Sequence, residues 1–188
     1  MSIEQSFSEH AEVVASARAE LPGVLDLIAA RTARALRAGG KVLVCGNGGS
    51  AADAQHFAAE LVGRFERERQ GLAAIALTTD SSNLTAIAND YGYDRVFARQ
   101  VEALARDGDV LYGISTSGNS PNVVAAMHRG RDAGCYCVGF TGRGGGELAS
   151  VADVTVRAPS DRVARIQEVH EICLHALAES IELRLCSG

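Results

Sequence analysis

"KVLVCGNGGSAADAQHFAAEL", residues 41–61, decides the fold. Its first six residues form a continuous apolar run that ends in glycine. A strand buried on both faces reads this way, because helices cover both sides of a parallel sheet. Gly46, Gly48, Gly49 and Ser50 then permit a tight turn. From about Ser50 to Gly63 the apolar residues return at helical spacing. Strand, glycine turn and helix together open an α/β unit.

The same grammar extends in both directions. Before the stretch, residues 3–20 and 22–38 read as two helices, with Leu21–Pro22 between them and Gly39–Gly40 as a stop signal. After it, strands are expected at "LAAIAL" (72–77), "DVLYGIS" (109–115), "CYCVGFTG" (135–142) and "ADVTVRA" (152–158). Residues 80–106 read as mostly helical with a break near Asp90–Gly92, and a long helix over 161–183 closes the chain. "SPNVVAAMHRGRDAG" reads as a helix with Ser120 as N-cap and Pro121 at its first position. Strands alternating with helices predict a doubly wound sheet of five parallel strands. No linker or low-complexity run interrupts it, so one domain is expected over 1–188, with helices at 1–39 and the α/β core at 40–188.

Bulk properties exclude several classes. A chain of 188 residues is long enough to bury a substantial core. A formal net charge of −5 argues against general attraction to nucleic acid or to an anionic membrane. The first residues, "MSIEQSFSEHAEVV", lack the basic and apolar regions of a signal peptide, and the apolar runs are strand-length. The five cysteines are odd in number and form no C-x-x-C pair, so reduced thiols and a cytoplasmic location are expected.

Ligands of an open parallel sheet bind at the carboxyl ends of its strands. Two loops there carry chemistry: "GNGGS" and "STSGNS". Ser115, Thr116, Ser117 and Ser120 supply four hydroxyls in six residues, followed by a helix N-terminus, which stabilises anions. The bland alternative is a set of ordinary turn and capping residues. There is no P-loop lysine and no G-x-G-x-x-G, so a sugar phosphate suits the pattern better than a nucleotide.

His56 and Glu60, at i and i+4, share a helix face, with Asp53 one turn earlier. They form either a solvated His–Glu pair or half of a divalent-metal site in which Asp53 orients the imidazole. On the last helix, Gln167, Glu171 and His175 form an i, i+4, i+8 stripe and His170 lies on a nearby face. Spacing alone does not choose between the two histidines.

Taken together, "GNGGSAADAQHFAAEL", "GRF", "AIALTTD", "AIANDYGYDRVFARQVEAL", "GDVLYGISTSGNSPNVVAAM", "TGRGGGELA" and "RIQEVHEICLHAL" resemble the sugar-isomerase (SIS) domain. More narrowly they resemble its phosphoheptose isomerase family, over nearly the whole chain. The resemblance implies a flavodoxin-like sheet, a homotetramer with active sites between subunits, and one zinc ion per subunit. Its zinc ligands would be His56, Glu60, Gln167 and His175, which favours His175 over His170. Glu60 would be the general base and His175 its acid/base partner. Substrate contacts would be Asn47, Gly48, Gly49, Ser50, Glu60, Arg64, Asn89, Asp90, Ser115, Thr116, Ser117, Ser120 and Gln167. Some relatives carry Asp shortly before "RIQ", where this chain has Ala164, with Asp161 nearby but unaligned.

The implied reaction converts sedoheptulose 7-phosphate into D-glycero-D-manno-heptose 7-phosphate, the first step toward ADP-heptose, through an enediol. Two tensions follow. A glutamate bound to zinc is a weakened base, and an amide oxygen is a weak zinc ligand, which suggests an exchangeable metal position. A non-catalytic relative, the replication initiator-associating factor, resembles the chain almost as well, notably in "GRFERER" and "ARIQEVH". It implies a tetrameric scaffold whose partner is the replication initiator protein.

Overall fold

The computed structural model describes residues 2–186. Among them the chain runs α1 (Ile3–Glu20), α2 (Pro22–Arg37), β1 (Val42–Gly46), α3 (Gly49–Val62), β2 (Ala74–Ala76) and α4 (Ser81–Tyr91). A short 3₁₀ turn (Tyr93–Arg95) leads to α5 (Val96–Leu104), β3 (Val110–Ile114), α6 (Pro121–Asp132), β4 (Tyr136–Thr141), α7 (Leu148–Val151), β5 (Val154–Arg157) and α8 (Val163–Cys186). All five strands are parallel, in the order β2-β1-β3-β4-β5. This is the expected flavodoxin-like sheet, and the strand order reverses between β1 and β3. The loops leaving those two neighbours part to opposite faces, which opens a crevice at their carboxyl ends.

The apolar runs are explained by layering. Val42 and Val44 of β1 join a core with Ile28 of α2, Phe57 and Leu61 of α3, and Val169, Leu174 and Leu177 of α8. Leu43 and Cys45, pointing the other way, join Phe97 and Val101 of α5, Met127 of α6 and Leu148 of α7. Every residue of β1 and β3 is therefore buried. Cys45, Cys135, Cys137 and Cys173 are buried and free, as expected. Burial pushes the Cys137 and Cys173 thiols up to about 12, so neither is a nucleophile near neutrality. Among the described residues no helix is long and apolar enough to cross a membrane.

The last helix begins two residues later and ends three later than expected, and two further differences concern β2 and α7. β2 is only three residues long, because it lies at the sheet edge, where Ile75 is exposed. α7 was not foreseen, since four residues are too few to show a helical period.

One buried ion pair joins α3 to α8. Glu182, 1% exposed, accepts hydrogen bonds from the amides of Phe65, Glu66 and Arg67 at 3.1, 3.0 and 2.8 Å and from Arg69 Nε at 3.0 Å. Arg69 in turn donates to the carbonyls of Glu60 and Leu61 in the last turn of α3, at 2.8 and 2.9 Å. Burial pushes the Glu182 carboxyl up, but the three amides and then Arg69 more than offset this and hold it low. The pair thus closes the open carbonyl end of α3, ties it to α8 and shapes the loop carrying Arg64. His170 is also buried on α8, and its Nε2 faces the Thr141 carbonyl at 3.0 Å while Nδ1 has no partner. Burial lowers its pKa to about 4, with the Thr141 contact opposing.

Glu182→Ala leaves Arg69 buried without its counter-charge, so the free energy of unfolding falls by about 3 kcal/mol, measured by urea titration. His170 binds its proton more weakly folded than unfolded. Its contribution to stability is therefore present above about pH 6.5 and lost as pH falls toward about 4. His170→Phe flattens the stability–pH curve in that window relative to the parent chain, by up to about 3 kcal/mol across it.

Candidate active site

The crevice is built from two loops. In the first, Gly48 takes φ +57, which glycine adopts without strain. Gly49 starts α3, and a Cβ there would lie 2.4 Å from Gln167 Nε2. Gln167 thus packs against the N-terminus of α3 and draws α8 toward it. Ser50 is buried in the first turn of the same helix.

In the second loop, Ser115 Oγ lies 2.8 Å from Ser120 Oγ and 3.4 Å from Ser117 Oγ. Ser120 does occupy the N-cap position of α6, but its hydroxyl makes no capping bond and turns toward Ser115 instead. Thr116 is fixed through its backbone carbonyl, which accepts from the Gly142 amide at 2.9 Å. Three hydroxyls clustered at a helix N-terminus, with no cation needed among them, suit a phosphate group.

The second half of the site forms where α3 crosses α8. His56 Nε2 lies 3.0 Å from Glu60 Oε1 and 3.5 Å from His175 Nε2. His56 Nδ1 lies 2.5 Å from Glu171 Oε1, which is 3.4 Å from His175 Nε2. Phe65 stacks at a tilt over the His175 ring, 5.7 Å between centroids. The structure therefore chooses between the two histidines of the last helix: His175 reaches His56, and His170 is committed to the core.

The donor chemistry fits a divalent ion. A neutral imidazole has one N–H, yet His56 meets a carboxylate at each nitrogen. The second carboxylate requires a cation, either a further proton or a metal. Donor atoms of His56, Glu171 and His175 all lie within 4.8 Å of one another, a group able to hold a metal. His175 Nε2 lies 3.4 Å from Glu171 Oε1 and 3.5 Å from His56 Nε2, close enough for shared ligation, while the 2.5 Å contact of Glu171 with His56 Nδ1 is a hydrogen-bond distance. Asp53 lies beside the cluster, with its buried Oδ2 lacking a hydrogen-bond partner. Burial raises its carboxyl to about 6, the Glu171 charge adds to this, and His56 opposes it.

The expected residues are thus distributed unevenly. Glu60 touches His56 but is not in the three-donor group, and Gln167 contacts Gly49. The carboxylate on the second nitrogen of His56 is Glu171, not Asp53. Arg64 is exposed in the loop after α3, near Glu68 and the Glu66 carbonyl. Asn89 donates to Asp90 Oδ1 at 2.8 Å, and neither is hydrogen-bonded to another predicted site residue among the described ones. Asp161, exposed, pairs with Arg143. Glu171 was visible in the sequence as the middle of the i, i+4, i+8 stripe but was given no role there. Asn122, which grips Asn47, carried no signal beyond an amide in the first turn of a helix.

Comparison with known proteins shows the family. The SIS domain family matches residues 6–142. The phosphoheptose isomerase of Aliarcobacter butzleri is 52% identical over 181 residues, covering 96% of both chains. That of Roseiflexus sp. is 61% identical over 158 residues, covering 84% of this chain and 80% of the relative. The solved phosphoheptose isomerase of Neisseria gonorrhoeae superimposes with a TM-score of 0.91 at 46% identity over 96% of each chain. That of Francisella tularensis gives 0.93 at 39% identity over the same shares. A more distant structure, the NanR protein of Vibrio vulnificus with ManNAc-6P, is 17% identical with a TM-score of 0.69 and shares the fold. The chain belongs to the phosphoheptose isomerase family of SIS-domain proteins.

Proposed function

We propose that this chain isomerises sedoheptulose 7-phosphate to D-glycero-D-manno-heptose 7-phosphate, the entry step to ADP-heptose. The carrying observation is the meeting of Glu60, His56, Glu171 and His175 at the α3–α8 crossing, beside a hydroxyl-lined crevice. Identity of 52% over nearly the whole of a named phosphoheptose isomerase supports the substrate class.

Moving a carbonyl between C2 and C1 requires a base at the carbon, an acid at the oxygen and stabilisation of the developing oxyanion. Glu60 is the proposed base: it takes the proton from C1 and returns it to C2 through the enediol. Glu60 Oε1 lies 3.0 Å from His56 Nε2, which sets the carboxylate at the edge of the cluster. His175 is the proposed acid/base partner of Glu60, and its ring faces the same cluster. Ser115, Ser117 and Ser120 would hold the distant phosphate, whose binding energy fixes the reacting end. His56, Glu171 and His175 would hold the zinc ion, with Glu60 and Gln167 as the further donors implied by the family. A divalent ion there supplies Lewis acidity at the substrate oxygens. With Glu171 as the carboxylate donor, Glu60 would remain basic.

A homotetramer whose subunits complete one another's sites is the assembly that the family resemblance implies. One SIS domain per subunit and a cytoplasmic setting complete the reading.

Glu60→Gln lowers kcat by about 10³-fold while leaving the melting temperature unchanged; near-normal turnover removes Glu60 as base. Dialysis against a chelator abolishes turnover and added zinc restores it. Glu171→Leu weakens zinc binding by about 10–100-fold in a competition titration, and unchanged affinity would exclude Glu171 from the metal site.

A further inference from the structure

We infer that Asn122 is a positioning residue that turns Asn47 into a pure hydrogen-bond donor toward the substrate. The inference rests on the isomerase reading of the crevice. Asn122 is 2% exposed, in the first turn of α6, and its side chain spans the switch point to the β1 loop. Its Oδ1 faces the Val123 N–H at 3.0 Å, a donor it shares with the Ser120 carbonyl, and this favours one orientation of the amide. Its Nδ2 then faces outward, and it donates to Asn47 Oδ1 at 2.9 Å. The same Oδ1 of Asn122 accepts from Asn47 Nδ2, also at 2.9 Å. The reciprocal pair leaves Asn47 no freedom to flip.

Valence then decides what Asn47 can offer. Its Oδ1 accepts twice, from Asn122 Nδ2 and from the Tyr93 hydroxyl at 3.3 Å, which uses both lone pairs. Its Nδ2 has two hydrogens and spends one on Asn122. One N–H remains, on a half-buried side chain between the "GNGGS" and "STSGNS" loops. An unflippable donor at that place recognises an oxygen, such as a sugar hydroxyl or carbonyl, and rejects a donor-only group. The same pair staples together the two loops that form the crevice, and the Tyr93 hydroxyl adds the turn after α4 to it.

The variant Asn122→Asp keeps the size and the acceptor for Val123 N–H. It places a carboxylate oxygen against Asn47 Oδ1, so one of the two hydrogen bonds is lost whichever way the Asn47 amide faces, and its spare N–H is no longer held toward the crevice. The expected result, in steady-state assays of the full-length chain with sedoheptulose 7-phosphate, is a KM raised about tenfold and a kcat within about twofold. The decisive comparison is a cycle with Asn47→Ala. In that background Asn122→Asp has no further effect on kcat/KM, whereas an equal loss in both backgrounds would show a merely structural role and overturn the proposal. Tyr93→Phe, at an exposed ring, gives the same test where Asn122→Asp fails to fold: about a two- to threefold rise in KM, absent in the Asn47→Ala background. Turnover by the parent chain with no coupling to Asn47 defeats this inference alone. A parent chain without turnover defeats the isomerase reading and the inference with it.

Discussion

The crossing of α3 over α8 carries the cluster of His56, Glu60, Glu171 and His175, and a buried carboxylate holds that crossing in place. Glu182 is tied to three amides and to Arg69, and Arg69 to the carbonyls that end α3. His56 and Glu60 stand on one of these helices, Glu171 and His175 on the other. Neither helix alone could place donors on both nitrogens of one imidazole. The ion pair is costly to desolvate and contributes less to net stability than to geometry. Its effect is to fix an angle between helices, and so a set of 3–3.5 Å separations among side chains.

The sheet supplies the other constraint. Because the strand order reverses between β1 and β3, two glycine- and hydroxyl-bearing loops leave neighbouring strands toward opposite faces. Helix dipoles then favour an anion at the hydroxyl-bearing loop, while the His–Glu cluster stands at the α3–α8 crossing. A sugar phosphate has the same division: a charged end that binds and a carbonyl end that reacts.

Much of this was legible in the residues. The run from Lys41 to Gly46 required burial on both faces, and both cores flanking β1 bear that out. The hydroxyl loop and the His56–Glu60 pair could be found from spacing. What spacing could not supply was partnership across the chain. His170 and His175 looked alike until one was found against the Thr141 carbonyl and the other against His56. Glu171 was on the right helical face, but its role depends on where another helix crosses. Asn122 and Glu182 act through contacts 75 and 113–117 positions away in the chain, which no local pattern encodes. Asn89, Asp90 and Arg64 have only local partners among the described residues, so their sequence motifs did not reveal a contact with the cluster.

The account is tested most directly by incubating the zinc-loaded chain with sedoheptulose 7-phosphate in D₂O and following C1 and C2 by NMR. Proton transfer through Glu60 predicts an aldose heptose 7-phosphate bearing solvent deuterium at C2. Binding of the sugar phosphate without formation of the aldose would contradict it and leave a crevice that recognises its ligand without transforming it.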